Sequence, residues 1–355
     1  MKIVIYSKYT RLGASSRMRF YQYLPLLANA KIQVLVSPLF SDTYVTALQA
    51  GRRNFFIILM SYVARIFTVL SNNKSDLVLI EKELLPWLPA WVERILLFKM
   101  GCYILDYDDA VFHSYDKHSS AIIRWSLGNK HAVLIRGAKM VLAGNQYLAT
   151  YAVDAKAKQV EVLPTVIDLD RYPSELTVRA TRTDQIPTVG WIGQRSTAAF
   201  LNPLSALFSR LSDEGIGRFK AIGIDTQSLG LPMEAIQWTE DSEVLSIASF
   251  DIGIMPLVDG PFERGKCGYK LIQYMACGLP VIASPVGVNV QIVEHGVNGF
   301  LASTDEEWDW ALRKLLLDPD LRKRMGEAGR KKVEMHYSLQ ESAPRLVAFL
   351  ESAAE

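Results

Sequence analysis

A chain of 355 residues is too long for one ordinary hydrophobic core and suits two domains of about 160 to 180 residues each. Half of its residues are hydrophobic and 21% charged, which excludes a disordered chain, and 39 basic against 37 acidic residues give no basic surface on which a nucleic-acid role could rest. Cys102, Cys267 and Cys277 are odd in number and lack zinc-like spacing, so they read as reduced thiols of a cytoplasmic protein.

The opening MKIVIY shows no signal peptide and goes straight into a strand. Short apolar, β-branched runs predict strands at 2–6, 32–36, 77–80, 103–105, 140–143 and 160–163. Helical spacing predicts helices between them at 16–28, 55–70, 89–98, 120–138 and 146–153. Such alternation implies an α/β domain built on a doubly wound parallel sheet. Segment 54–70 is seventeen residues with Arg65 inside, short for a membrane span. With Arg52 and Arg53 ahead of it, it can lie as an amphipathic helix on an anionic bilayer, or it can pack on the sheet. Trp87 and Trp91 belong either to that same surface or to the core.

Open parallel sheets bind ligands at the carboxyl ends of their strands, so the loops there carry the most weight. After the first strand, Gly13 permits close backbone approach, Ser15 or Ser16 can cap the following helix, and Arg17 can meet phosphate or carboxylate. The alternative is a loop that only turns the chain. With one glycine it is no dinucleotide fingerprint, which speaks against a nicotinamide cofactor. After the fourth strand come Asp106, Asp108 and Asp109, with His113 close behind. Three carboxylates within four residues repel one another unless a cation, a hydroxyl-rich ligand or a base meets them. A sugar acceptor or a magnesium ion would serve; helix capping by Asp108 or Asp109 is the structural alternative.

Segment 164–187, rich in proline, threonine and charge, reads as a linker. A second series of strands follows at 188–192, 219–223, 235–238, 252–255, 281–283 and 300–301, so the chain is two Rossmann-like halves in tandem. After the first of these strands Arg195 is a candidate phosphate ligand, and Ser196 and Thr197 can cap a helix. The densest stretch is 262–298. There Glu263, Arg264, Gly265, Lys266 and Gly268 precede a short helix whose Leu271, Ile272, Tyr274 and Met275 form one apolar face. Gly278 is placed to cap that helix, and LPVIAS then reads as a buried strand. Lys270 and Gln273 fall near the helix start, where unpaired amides and the helix dipole attract anions. A diphosphate and an ordinary solvated basic loop fit this stretch equally on residue types alone.

The same stretch resembles the donor-binding signature of glycosyltransferase family 4. The match runs through Lys270, then Gln273-Tyr-Met-Ala-Cys-Gly278-Leu-Pro280-Val-Ile-Ala-Ser284, Val286-Gly287 and Glu294-His-Gly296-Val-Asn298-Gly299. The resemblance implies a GT-B fold, two Rossmann-like doubly wound domains facing across a cleft. Its boundaries would be an acceptor-binding domain at 1–164, a linker at 165–187, a nucleotide-sugar domain at 188–337 and a helix at 338–355 crossing back to the first domain. It implies a retaining transfer from a nucleotide-diphosphate sugar to a saccharide or lipid-linked acceptor, with no cofactor and no metal, in bacterial surface polysaccharide or glycolipid synthesis. Peripheral contact with the inner face of the membrane goes with such an acceptor.

Residue by residue, the resemblance assigns donor binding to Glu263, Arg264, Gly268, Lys270 and Gln273, and places Gly13, Ser15, Arg17, Asp108 and His113 in the acceptor or phosphate loops. Asp109, Arg195 and Lys266 are the catalytic candidates. Departures are visible: Gly265 and Gln273 stand where the family often has two glutamates, and Asn202 and Pro203 stand where a diphosphate lysine is expected. The aspartates occupy the usual histidine position, resembling a bacterial branch with D-D-A. Two other classes fit the same residues: a GT-B-shaped epimerase or phosphorylase, and a noncatalytic nucleotide-sugar binder.

Overall fold

The structure is a computed structural model that describes residues 1–49, 51, 54–71, 75–173 and 186–355. Arg52, Arg53 and residues 174–185 of the expected linker lie outside the described residues. Two compact units are present: the first holds Met1–Thr165, Arg264–Cys267 and Glu341–Glu355, the second Val166–Glu263 and Gly268–Gln340.

The first unit is built on β1 (Lys2–Tyr9), β2 (Gln33–Phe40), β3 (Leu77–Glu81), β4 (Tyr103–Tyr107), β5 (Met140–Ala143) and β6 (Val160–Val162), in the order β2-β1-β3-β4-β5-β6. Every pairing is parallel. β3, β4 and β5 are buried along their whole length, as apolar strands covered on both faces must be. The strand order reverses between β1 and β3, the switch point at which a doubly wound sheet opens a crevice. Register sets Glu81 at the end of β3 beside Asp106 of β4.

Two helices expected as single rods are broken. The expected helix 16–28 is a helix at Ala14–Arg19, a tighter turn at Tyr21–Tyr23 and a second helix at Leu24–Asn29, because Pro25 starts a helix and cannot continue one. The expected helix 120–138 divides into Ala121–Leu127 and Lys130–Gly137 at Gly128 and Asn129, both weak helix formers. Helix Phe55–Ser71 packs Tyr62 and Ile66 against the core and turns Arg65 inward, where Nη2 donates to the carbonyls of Ser7 at 2.7 Å and Ser37 at 3.0 Å. No described helix is long and apolar enough to cross a membrane.

The second unit holds β7 (Thr188–Ile192), β8 (Arg218–Ile222), β9 (Glu234–Ile236), β10 (Ile252–Met255), β11 (Val281–Ala283) and β12 (Gly299–Leu301), ordered β12-β11-β10-β7-β8-β9 and again parallel throughout. Its switch point lies between β7 and β10. Register brings Gly190 beside Gly253, and side chains would not fit at either: a Cβ at Gly190 would enter the Phe250 ring and one at Gly253 the Tyr274 ring. Tyr274 lies on helix Tyr269–Ala276, of which Leu271 to Ala276 are all buried. Its hydroxyl accepts from the Ile192 N–H at 3.0 Å and donates to the Ile254 carbonyl at 3.3 Å, pinning the helix to the ends of both strands. Gly278 follows at φ 71°, the left-handed conformation that closes the helix as expected. Removing the Tyr274 hydroxyl should leave the buried Ile192 N–H without a partner. Tyr274→Phe is expected to lose about 1–3 kcal/mol of stability in urea unfolding, and an unchanged midpoint would show that the hydroxyl is not the pin.

Candidate functional site

In the first unit the polar groups gather where β1, β3 and β4 end. Two of the three carboxylates of the Asp106–Asp109 loop meet cations, and the cations are the chain's own. Arg19 donates Nη2 to Asp106 at 2.6 Å and Nε at 2.9 Å, both side chains fully buried, and its Nη1 donates to the Leu163 carbonyl. Lys82 pairs with Asp108 at 2.5 Å, also buried. Lys82 follows β3 directly and sits at φ 63°, a strained conformation for a residue with a Cβ, which the ion pair holds in place. Burial would lower the Lys82 ammonium, but Asp108, Asp109 and Glu81 around it hold it above its ordinary range. Burial likewise opposes charge on Asp108, yet Lys82 and the hydrogen bonds from Lys82 and Ser15 outweigh it and keep that carboxyl below its usual range. Asp109 goes the other way, pushed up by burial and then by Asp108. Adjacent aspartates are thus shifted in opposite directions by their surroundings.

Neither capping expectation is met here. Helix Ala14–Arg19 begins at Gly13 without a side-chain cap. Instead Ser16 Oγ donates to Glu81 at 2.6 Å, and Ser15 bonds Asp108. Helix His113–Asp116 begins at Phe112, so neither Asp108 nor Asp109 caps it. A Cβ at Gly13 would collide with Tyr9. Arg17 is buried, its Nη1 3.4 Å from the Arg11 carbonyl. His113 spends both ring nitrogens, Nδ1 on Asp116 at 2.8 Å and Nε2 on the Tyr147 hydroxyl at 2.9 Å.

Arg264–Cys267, the start of the densest sequence stretch, belongs to this first unit. Asn145 Nδ2 donates to the carbonyls of Gly265 at 2.9 Å and Lys266 at 3.0 Å, and Cys267 Sγ donates to the Asp108 carbonyl at 3.0 Å. Gly265 lies so close to Ala110 that a Cβ would meet the Ala110 N at 2.8 Å. Burial pushes the Cys267 thiol well up, with Asp108 adding to it. Lys266 acts on Asp109 in the opposite sense to Asp108, favouring its charged form.

In the second unit the counterpart lies at the ends of β7 and β10. Gly268 takes φ 64° and forms the N-terminal boundary of helix Tyr269–Ala276. Lys270 stands on the first turn, its Nζ 4.1 Å above the ring of buried Trp191 and 3.5 Å from Thr197 Oγ1. Gly193 makes room for this: a Cβ there would lie 2.8 Å from Lys270 Nζ and against the Trp191 ring. Arg195 opens the short helix Arg195–Ala198 beyond β7, exposed, with Nη1 3.5 Å from Ser228 Oγ. That helix is bounded by Gln194 with no side-chain cap, so the capping roles expected of Ser196 and Thr197 are not used. Gln273 is buried, its Nε2 3.4 Å from the Tyr172 hydroxyl, and Glu263 lies at the end of this unit's run, its Oε2 beside Gly260.

Residues 248–332 match the family described as glycosyl transferases group 1. Over 198 residues the chain is 27% identical to a D-inositol 3-phosphate glycosyltransferase of Corynebacterium jeikeium, a match covering 49% of this chain and 47% of the relative. The chain spans about half or less of the length of the curated relatives it matches. Among solved structures, a sucrose-phosphate synthase from Thermosynechococcus elongatus superposes with a TM-score of 0.73 at 16% identity, covering 99% of this chain and 98% of that one. Anabaena Alr3699/HepE in complex with UDP-glucose superposes with a TM-score of 0.68 at 17% identity, covering 99% and 100%. The fold is GT-B.

Several residues that shape the first unit of this GT-B chain went unread in its sequence. Lys82 and Arg19 neutralise the aspartates, Asn145 binds the 265–266 carbonyls, and Lys130 pairs with Glu83 at 2.6 Å and Glu93 at 2.7 Å deep in the unit. The charged run Glu81-Lys82-Glu83 at the end of an apolar strand was the available signal. Among the described residues no cluster of His, Cys, Asp and Glu is arranged to hold a metal. The Lys82–Asp108 pair makes stability depend on pH with a defined sign. A carboxyl held below its unfolded value of 3.8 contributes stability above that pH and loses it as pH falls toward the lower folded value. Asp108→Asn is therefore expected to cost about 3–5 kcal/mol near neutrality, with the gap to the unsubstituted protein closing in acid. Urea unfolding from about pH 7 down to about pH 3 would read it; a gap independent of pH would dismiss the ion pair as its source.

Proposed function

We propose that the chain is a retaining glycosyltransferase, of the family 4 type with the D-D-A variation, that moves a sugar from a nucleoside-diphosphate sugar to a saccharide or lipid-linked acceptor. The observation that carries this reading is Lys270: a cation held over Trp191 at the amide-rich end of a buried helix, inside the stretch 248–332 that matches glycosyl transferases group 1. Departure of a nucleoside diphosphate builds negative charge on the phosphates, and preorganised cations and helix N-termini stabilise that charge in the transition state. In this reading Lys270 and Arg195 serve the diphosphate, with Gly268 giving the phosphates access to the helix amides. Lys266 and Arg264 are the further cations. Gln273 can reach a ribose hydroxyl by exchanging its 3.4 Å contact with Tyr172, which is long for a hydrogen bond and cheaply replaced. Glu263 is assigned to the sugar.

On the first unit the reading gives the acceptor to Gly13, Ser15, Arg17, Asp108, His113 and Asp109. Asp109, whose carboxyl burial and Asp108 push up, is the catalytic candidate of this loop. Transfer with retention then proceeds with the acceptor oxygen attacking the anomeric carbon from the face the phosphate leaves, as the sugar–phosphate bond breaks and an oxygen of the departing phosphate helps to take the acceptor's proton. The acceptor class fits cell-surface polysaccharide or glycolipid synthesis by a cytoplasmic enzyme at the inner face of a membrane.

A thermal-shift screen of uridine, guanosine, adenosine and cytidine diphosphate sugars tests the donor, because a ligand that binds only the folded state raises the melting temperature with its affinity and concentration. One base class should stabilise the protein, and Lys270→Ala and Arg195→Ala should each weaken its binding by about tenfold or more, roughly 1.4 kcal/mol. Unchanged donor affinity in both variants would remove the diphosphate from this place. Binding with no nucleotide release across a broad acceptor panel would turn the reading into a noncatalytic binder.

A further inference from the structure

The first unit carries an apolar surface that its own core does not use. On helix Phe55–Ser71, Phe55, Leu59, Val63 and Phe67 recur every four residues and are 50–77% exposed, while Arg65 and Val69 on the other side are buried. Helix Ala90–Met100 repeats the pattern: Trp91, Ile95 and Phe98 are 65–92% exposed, and Leu96 and Leu97 are buried. On helix Ala121–Leu127, Ile122 and Trp125 are 75% and 86% exposed, with Leu127 buried.

The elements that carry these faces are linked. The Tyr62 hydroxyl donates to the Pro86 carbonyl at 2.6 Å, and Lys99 Nζ donates to the Leu70 carbonyl, tying the first helix to the second. Trp87, half exposed, sets its ring edge-on to Tyr115 at 5.0 Å and to His118 at 6.0 Å, and Arg124 Nη1 donates to the carbonyl of the same His118 at 2.6 Å. These linked elements together expose at least nine large apolar side chains, Phe55, Phe67, Phe98, Trp91 and Trp125 among them, more than singly scattered surface hydrophobics explain.

Its helices carry exposed charges of one sign. The exposed charged side chains of these three helices are Arg94, Lys99 and Arg124; Lys117 lies just ahead of the third beside the partly exposed Asp116, which pairs with His113, and the one acid among the helices, Glu93, is buried. Tryptophan and phenylalanine rimmed by lysine and arginine is the composition of helices that lie in the headgroup region of an anionic bilayer. We propose that this face docks the first unit onto an anionic lipid surface, with the Trp91, Phe98 and Trp125 side chains entering the headgroup boundary and the cations meeting lipid phosphates. The inference deepens the membrane-face placement in the proposed function, while its test reads lipid binding by these side chains and not sugar transfer.

Co-sedimentation of the full chain with vesicles of phosphatidylcholine containing about 30% phosphatidylglycerol tests it. The protein should pellet with these vesicles, and its partitioning should fall by about tenfold or more on pure phosphatidylcholine or at high salt. Trp91→Ser with Phe98→Ser, and separately Phe55→Ser with Phe67→Ser, should each lower partitioning by about tenfold while leaving the melting temperature in place, since these side chains are already exposed. Absence of pelleting with anionic vesicles overturns the proposal, as does wild-type partitioning in both variants. So does a concentration-dependent dimer that the substitutions dissolve while vesicles bind neither form, which would make the face an interface between copies of this chain.

Discussion

A parallel sheet covered on both faces leaves the chain few places for polar side chains, and the ends of its strands are where they collect. In the first unit this constraint buries Glu81, Asp106 and Asp108 close together with Asp109 half-buried beside them, a concentration of negative charge that no fold tolerates unpaired. Arg19 and Lys82 answer it from different elements, one from the helix after β1 and one from the residue after β3. The rest of the polar layer follows from that settlement. Ser15 and Ser16 turn to the carboxylates and not to helix caps, Lys82 accepts a left-handed backbone, and burial raises the carboxyls of Asp106 and Asp109 while Lys82 holds that of Asp108 down.

The second unit meets the same constraint with small residues. Gly190 and Gly253 lie side by side in the sheet so that the Phe250 and Tyr274 rings can lie against it, and Tyr274 then fixes the motif helix to both strand ends. Gly193 and Trp191 extend the same device by one step, receiving the Lys270 ammonium in a notch. A sequence stretch that looks like a list of phosphate ligands is thus also a packing unit: six of the eight residues of helix Tyr269–Ala276 are buried, Gln273 among them.

Much of this was legible beforehand. The β-branched runs marked all twelve strands of the two sheets, and the stretch 262–298 pointed to a helix beginning near Lys270 and closing at Gly278, both of which the structure contains. Pro25 and the Gly128–Asn129 pair could have divided the two helices expected as single rods, since both are visible breakers. The pairing of Arg19 with Asp106 could not be read, because 87 positions separate them and nothing local distinguishes Arg19 from Arg17, the residue singled out in its place.

Sequence by itself determined periodicity: which segments are strands, which helical faces are apolar, and where glycine and proline interrupt them, because those are preferences of neighbouring residues. Tertiary structure alone decided partnership. It placed Arg264–Cys267 in the first unit through Asn145, spent both nitrogens of His113 within that unit, buried Gln273 against Tyr172, and left one apolar stripe of helix Phe55–Ser71 outside while its Arg65 turned in. The reason is physical: a charge or a hydrogen bond is settled by whichever groups burial brings within about 3 Å, and that proximity is a property of the packed chain and not of its order.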